Sequence, residues 1–222
     1  MTSTSKERAE DVFDKYREYT DSSIELYNPK QLTSTMTLSI LICTIQGREG
    51  YLTRLLQELV QQKARLPIQL LDEVEIIVES DNGAMSTGRK RNYLIGKSTG
   101  KYIVFIDDDD MIAPTYIADI LEAAKQDPDV IVFNGIMTTN GKDERKWYIS
   151  KEYGYEAKDG AYYRYPNHIV PVRREIAVRF PFQDIKIGED YLYATAMHNA
   201  KVLQTEVKIE KELYHYQFRT NK

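Results

Sequence analysis

The chain has 222 residues, 42% hydrophobic and 29% charged, with a net charge of −4. That is enough for one α/β domain with a sizeable core. It gives no global positive field for DNA, RNA or an anionic membrane and leaves only local basic patches for such a role. A single cysteine, Cys43, lies inside the apolar run Leu38–Ile45. No intrachain disulfide is possible, which points to a reducing compartment, and Cys43 reads as a small core residue. The first residues lead into a charged segment without an apolar signal region, and no apolar run approaches the ~20 residues needed to cross a bilayer. These features predict a cytoplasmic protein without a transmembrane segment.

In chain order, residues 5–20 predict a polar helix with a thin apolar stripe at Val12, Phe13, Tyr16 and Tyr19, followed by a connecting loop over 21–36. Residues 1–35 therefore read as a helical extension and 36–222 as a single domain. Strands are expected at Leu38–Ile45, 74–78, 102–106 and 130–133. Helices are expected at 50–63, with Tyr51, Leu52, Leu55, Leu56 and Leu59 on one face, at 88–98, and at 114–125 with Pro114 in its first turn. After residue 140 the chain turns Tyr- and Lys-rich, and a last helix is expected at 190–199. Alternating strands and helices, with near-continuously apolar strands, predict an α/β fold with a mostly parallel central sheet flanked by helices. Ligands then bind beyond the carboxyl ends of the strands, where Thr44, Asp81 and residues 107–110 fall. Of the seventeen tyrosines, several cluster within 148–165. Tyrosine suits a strand, and it also suits contacts to a carbohydrate or nucleobase.

Ile103-Val-Phe-Ile-Asp107-Asp108-Asp109-Asp110 places four carboxylates at the end of an apolar strand. Like charges this close resist shared burial unless a cation compensates them. Oxygen ligands suit Mn²⁺ or Mg²⁺, which take one or two protein carboxylates and complete their shell with phosphate and water. A solvated turn capping the next helix is the plainer alternative, for Asp110 in particular.

Together with Thr44-Ile-Gln-Gly-Arg48, Asp81-Asn82, Lys90-Arg91-Asn92 and Gly188-Glu189-Asp190, this loop resembles the motifs of family 2 glycosyltransferases of the GT-A fold. The resemblance runs over roughly 36–195. It implies a hexosyl- or pentosyltransferase using a nucleotide-sugar donor, with Thr44 and Asp81 at the nucleotide base and uracil the expected base. The family's commoner Asp-Asp pair is replaced here by Ser80-Asp81. The resemblance further implies Arg91 near base or phosphates, Arg48, Lys90 and Asp108 as substrate-binding residues, Asp107 at the ribose or a metal-bound water, and Asp109 on the metal. His215 or Arg219 would lie near the diphosphate, with His215 completing the metal shell and His168 a weaker candidate beside the acceptor cleft. Inverting transfer needs a base, and Asp190, beside Glu189, matches that position.

Two rival classes share the architecture: a sugar nucleotidyltransferase and a nucleotide-sugar-binding protein without transfer. The first usually carries a Gly-rich basic loop after the first strand, for which Gln46-Gly47-Arg48 is thin. A phosphate-binding loop is excluded because Arg89 stands where its Lys must follow Gly88. The acceptor stays open among a glycan, a protein and a modified DNA base. Lys142, Arg145, Lys146, Lys151, Arg173 and Arg174 read either as a guide for a polyanionic acceptor or as ordinary solvated surface.

Overall fold

A computed structural model describes residues 36–220. The helix expected at 5–20 lies outside them. The sheet begins with three parallel strands, β1 (Leu38–Ile45), β2 (Val74–Asp81) and β3 (Tyr102–Phe105). β1 is central, with Ile40 opposite both Ile76 and Val104. Leu38, Ile40, Leu41 and Ile42 are fully buried, so both faces of β1 are covered, as in a doubly covered parallel sheet.

Helix α1 (Glu49–Ala64) packs Leu55 and Leu59 inward. Its buried Gln62 donates to the Ala113 carbonyl at 2.8 Å, and its side-chain oxygen accepts from the Ile117 amide at 3.1 Å. Ile117 belongs to α3 (Tyr116–Ala124), so one glutamine satisfies an orphan donor at that helix's start. Pro114 lies before the cap residue Thr115 and not in the first turn.

Helix α2 (Thr87–Lys97) opens on Ser86, whose hydroxyl accepts from the Arg89 amide at 3.1 Å. Asn92 makes a reciprocal pair with the Phe182 backbone, both bonds 2.8 Å. A Cβ on Gly88 would lie 1.8 Å from the Gln183 carbonyl oxygen, so only glycine permits this approach. These contacts fasten the segment leading into α5 (Glu189–Asn199), whose cap, Gly188, has φ +86°.

Antiparallel pairing enters in the second half, making the sheet mixed. The strands are β4 (Met111–Ile112), β5 (Val130–Thr139), β6 (Lys142–Ile149), β7 (Glu156–Lys158), β8 (Ala161–Arg164), β9 (Val172–Arg173) and β10 (Glu206–Phe218), with the short helix α4 (Arg174–Ala177) after β9. The order is β2-β1-β3-β9-β5-β6-β8-β7, and β10 pairs with both β4 and β5. Much of the tyrosine cluster builds this half, as in the Tyr148–Tyr163 stack with centroids 5.3 Å apart. Half of the basic set is held in ion pairs: Lys146 with Glu212, Lys151 with Glu152, and Arg173 with Asp127. Among the described residues no helix is long and apolar enough to cross a membrane.

β10, β5 and β6 meet at Gly135, where an added Cβ would lie 2.1 Å from the Trp147 ring and 2.3 Å from the Tyr214 carbonyl oxygen. Gly135→Ala is therefore expected to destabilise the fold by about 1–3 kcal/mol, as overpacking does, and thermal unfolding should show a lowered Tm.

Candidate active site

At the carboxyl ends of β1, β2 and β3 lies a cavity of about 450 Å³, lined among others by Thr44, Lys90, Arg91, residues 107–109 and Asp190. Its floor is the turn between β3 and β4, closed by the Asp110 amide donating to the Asp107 carbonyl at 3.1 Å. The four carboxylates of this turn have four different surroundings.

Asp110 points into the protein. Tyr214 donates to its Oδ2 and the Gln217 amide to its Oδ1, both at 2.7 Å. Burial and the neighbouring charge of Asp107 push its carboxyl well above the usual range, against these two bonds. Asp108 is enclosed: Thr44 donates to it at 2.6 Å and Arg48 reaches it through both Nε and Nη2. These bonds clamp the start of α1 to the turn. Thr44, expected at the base, lines the cavity while its hydroxyl donates to Asp108. Asp109 Oδ2 meets Arg48 Nη2 at 2.9 Å and Arg219 Nη1 at 3.0 Å. Both guanidinium groups also lie over the Tyr51 ring, at 5.2 and 4.8 Å from its centroid.

Asp107 is held by Arg91 at 3.0 Å. Burial opposes its ionisation, but the charge of Arg91 beside it outweighs that and keeps the carboxyl well below its usual range. Arg91 is itself buried, and its Nε donates to Glu189 at 3.1 Å. Glu189 is consequently an anchor rather than a free acid, while Asp190, 36% exposed at its side chain, faces the cavity. Between Asp107 and Asp190 sits His168, 8% exposed, with ring nitrogens 3.6 and 3.8 Å from the two carboxylates and no hydrogen-bond partner among the described residues.

On the other side, Asp81 pairs with buried Lys90, which also donates to the Thr44 carbonyl at 2.6 Å. The Lys90 hydrogen bond, helped by one from the Met85 amide, lowers the Asp81 carboxyl to about 2. Cys43 borders the cavity, and burial pushes its thiol up to about 12, so it stays protonated.

His215 does not join this group. Its Nε2 contacts Thr138 Oγ1 at 2.9 Å, and burial lowers its pKa. Strand alternation is the reason: Tyr214 and Tyr216 face the acidic turn, so His215 faces away. The residues missed in sequence are Tyr51, which carries two guanidinium groups from the first turn of α1, and Tyr214 and Tyr216, whose side of β10 follows from irregularities in its pairing that no local pattern reveals.

The oxygen donors of Asp107 and Asp109 fit a hard divalent cation, and the orphaned His168 nitrogens beside Asp107 suit the same neighbourhood. No three His, Cys, Asp or Glu side chains among the described residues converge as a ready cage. Such a site needs phosphate oxygens to complete it.

Residues 86–185, just short of half the chain, match the family model described as Glycosyl transferase family 2. The match is to family 2 glycosyltransferases. It spans Lys90, Arg91, the acidic turn and His168, and ends before Glu189. Among solved structures, S. aureus TarS superposes with a TM-score of 0.58 at 18% identity, over 82% of this chain and 37% of that one. TarS 1-349 in complex with UDP-GlcNAc gives 0.59 at 16% identity, over 84% and 60%. Its UDP complex gives 0.58 at 17%, over 82% and 60%. This chain thus spans well under two thirds of TarS. No curated protein matches it. The fold is the GT-A type expected from the sequence.

Two outcomes follow from the buried cations. Arg91→Met strands Asp107 and Glu189, and should cost about 3–5 kcal/mol in urea unfolding. Arg91→Lys should restore little, because an ammonium does not span both carboxylates as the guanidinium fork does. Lys90→Met should change the acid limb of stability. With its folded pKa lowered, Asp81 stabilises the fold above the ordinary carboxylate pKa of about 4, and that contribution is lost as pH falls through about 2. The wild type should therefore lose more Tm between these pH values than Lys90→Met does.

Proposed function

We propose that the protein is a glycosyltransferase that moves a sugar from a nucleotide-diphosphate donor, a UDP-sugar in the first instance, to an acceptor hydroxyl with inversion. One observation carries this reading. Thr44, the turn 107–109 and Asp190 come from three separate stretches and line one cavity at the carboxyl ends of parallel strands, with Asp81 beside it on the lining residues Lys90 and Met85. The family match supports the class, and the UDP and UDP-GlcNAc complexes of TarS, a protein of the same fold, support the donor.

In this reading Asp81 accepts from the imide N–H of uracil while Lys90 keeps it ionised. Arg48 and Arg219, now on Asp109, turn their free donors to the diphosphate. Asp107 and Asp109 would hold Mn²⁺ or Mg²⁺, which when bound offsets the charge of the departing diphosphate. Asp190 takes the proton of the acceptor hydroxyl, whose oxygen bonds to the anomeric carbon as the bond from that carbon to the diphosphate oxygen breaks. Asp190 stands in the first turn of α5 with its side chain partly exposed at the cavity, where an acceptor hydroxyl can reach it. Glu189 cannot substitute, because Arg91 occupies it.

UDP with Mn²⁺ should raise Tm more than ADP, GDP or CDP does, and excess chelator should remove most of that protection. Asp109→Asn should lose both the protection and transfer. Asp190→Asn should keep the protection yet lose about 10²- to 10⁴-fold in transfer rate, the usual cost of a missing general base. Near-normal turnover by Asp190→Asn would refute the assignment of the base. Donor binding with no turnover in the wild type would leave a nucleotide-sugar binder.

A further inference from the structure

Beside Asp190, outside the cavity just described, two large aromatic rings stand in solvent. Tyr191 follows Asp190 directly at the start of α5 and is 46% exposed, and Tyr155, from the loop between β6 and β7, is 39% exposed. Their centroids are 5.0 Å apart and their planes meet at 84°, so together they form a right-angled corner. Neither ring lines the cavity. The corner adjoins it through Asp190.

The corner is braced from behind. Tyr155 leans on Tyr165 at 4.8 Å. Tyr165 is buried, stacks on His198 at 4.4 Å with planes 15° apart, and shares a hydrogen bond of 2.5 Å with Thr195. His198 and Thr195 both belong to α5, so the helix carrying Asp190 also carries the support of the corner. Arg164 lies over Tyr155 at 4.4 Å, held by the carbonyls of Glu156 and Tyr163. The Tyr155 hydroxyl is close enough to Asp190 and Asn167 to feel both. Burial and the Asp190 charge push it up to about 12, so it remains a donor.

Resting on the glycosyltransferase reading above, we propose that Tyr155 and Tyr191 form the acceptor subsite, and that the hydroxyl presented to Asp190 belongs to a pyranose ring. A pyranose has an apolar face of C–H bonds and a polar rim. One ring of the corner takes that face, the second closes its side, and the rim hydroxyls are left to Asp190 and the Tyr155 hydroxyl. A flat nucleobase fits worse. Nucleic-acid stacking platforms lie along a basic groove that follows the phosphates, whereas this corner adjoins a carboxylate on a chain of net charge −4, and its one close cation is spent on Tyr155 and two carbonyls. An extended peptide would need backbone donors and acceptors from a strand edge, which two phenol rings do not supply.

Saturation-transfer NMR on the full chain, with methyl β-glucoside, methyl β-galactoside and methyl N-acetyl-β-glucosaminide as probes, tests this with and without UDP and Mn²⁺. At least one probe should receive saturation on its C–H protons. Tyr191→Ala and Tyr155→Ala should each weaken that probe about tenfold, while Tyr191→Phe and Tyr191→Trp stay within about threefold. Thermal protection by UDP should be equal in all four variants. The proposal is overturned if no pyranoside saturates, if saturation survives both alanine variants, or if only a serine peptide or a hydroxymethylcytosine oligonucleotide responds. A Tyr191-dependent pyranoside signal without UDP protection upholds the subsite and removes the nucleotide reading instead.

Discussion

A buried guanidinium holds this site together. Arg91 is 3% exposed, and its side chain spans Asp107, on the turn after β3, and Glu189, on the first turn of α5. Its flat faces lie 4.9 Å from the Phe105 centroid and 5.6 Å from that of Phe182. A charge so enclosed is tolerated only when its partners are fixed. The turn and the helix are thereby fixed to each other. Phe182 is in turn joined to α2 through Asn92, so the helix that bears Arg91 also secures the segment leading to Glu189. The cavity is the space left between elements that one residue ties together.

Neighbouring acids acquire different work from this arrangement. Successive residues of a helix point about 100° apart, so Glu189 turns inward to Arg91 while Asp190 turns outward. The same division runs through residues 107–110, where Asp110 turns into the protein and the three that line the cavity are held by different partners. Four adjacent acids in the sequence are not four equivalent ligands. The supports come from β1, α1, α2 and the C-terminal strand, and each lends a different donor.

Much of the frame was legible in the sequence. The apolar runs at 38–45, 74–78 and 102–106 specify parallel strands, and polar residues at the ends of the first and third line the cavity. The acidic turn and Gly188-Glu189-Asp190 were legible as chemistry because such clusters are costly without a purpose. Other features were hidden in long-range pairing. Nothing local says that Thr44 and Arg48 enclose Asp108, sixty residues away. The Asn92 pairing with Phe182 and the open corner at Tyr155 likewise exist only after folding. The second half of the sheet blurred most, since short strands such as β7 and β9 carry too few residues to establish a period.

The C-terminal strand carries a phase change. β10 spends thirteen residues alongside the ten of β5, with irregularities between Ile209 and Tyr214. Before them, Val207 and Ile209 lie opposite Ile131 and Phe133 and pack against the core; after them, Tyr214 and Tyr216 lie opposite Gly135 and Met137. An odd number of surplus residues inverts the parity of everything downstream. Strict alternation would have carried His215 and Gln217 to the acidic turn and sent the tyrosine hydroxyl that holds Asp110 to the opposite face. The chemistry available at the turn is thus written partly in the arithmetic of a strand that lies a hundred residues further along the chain.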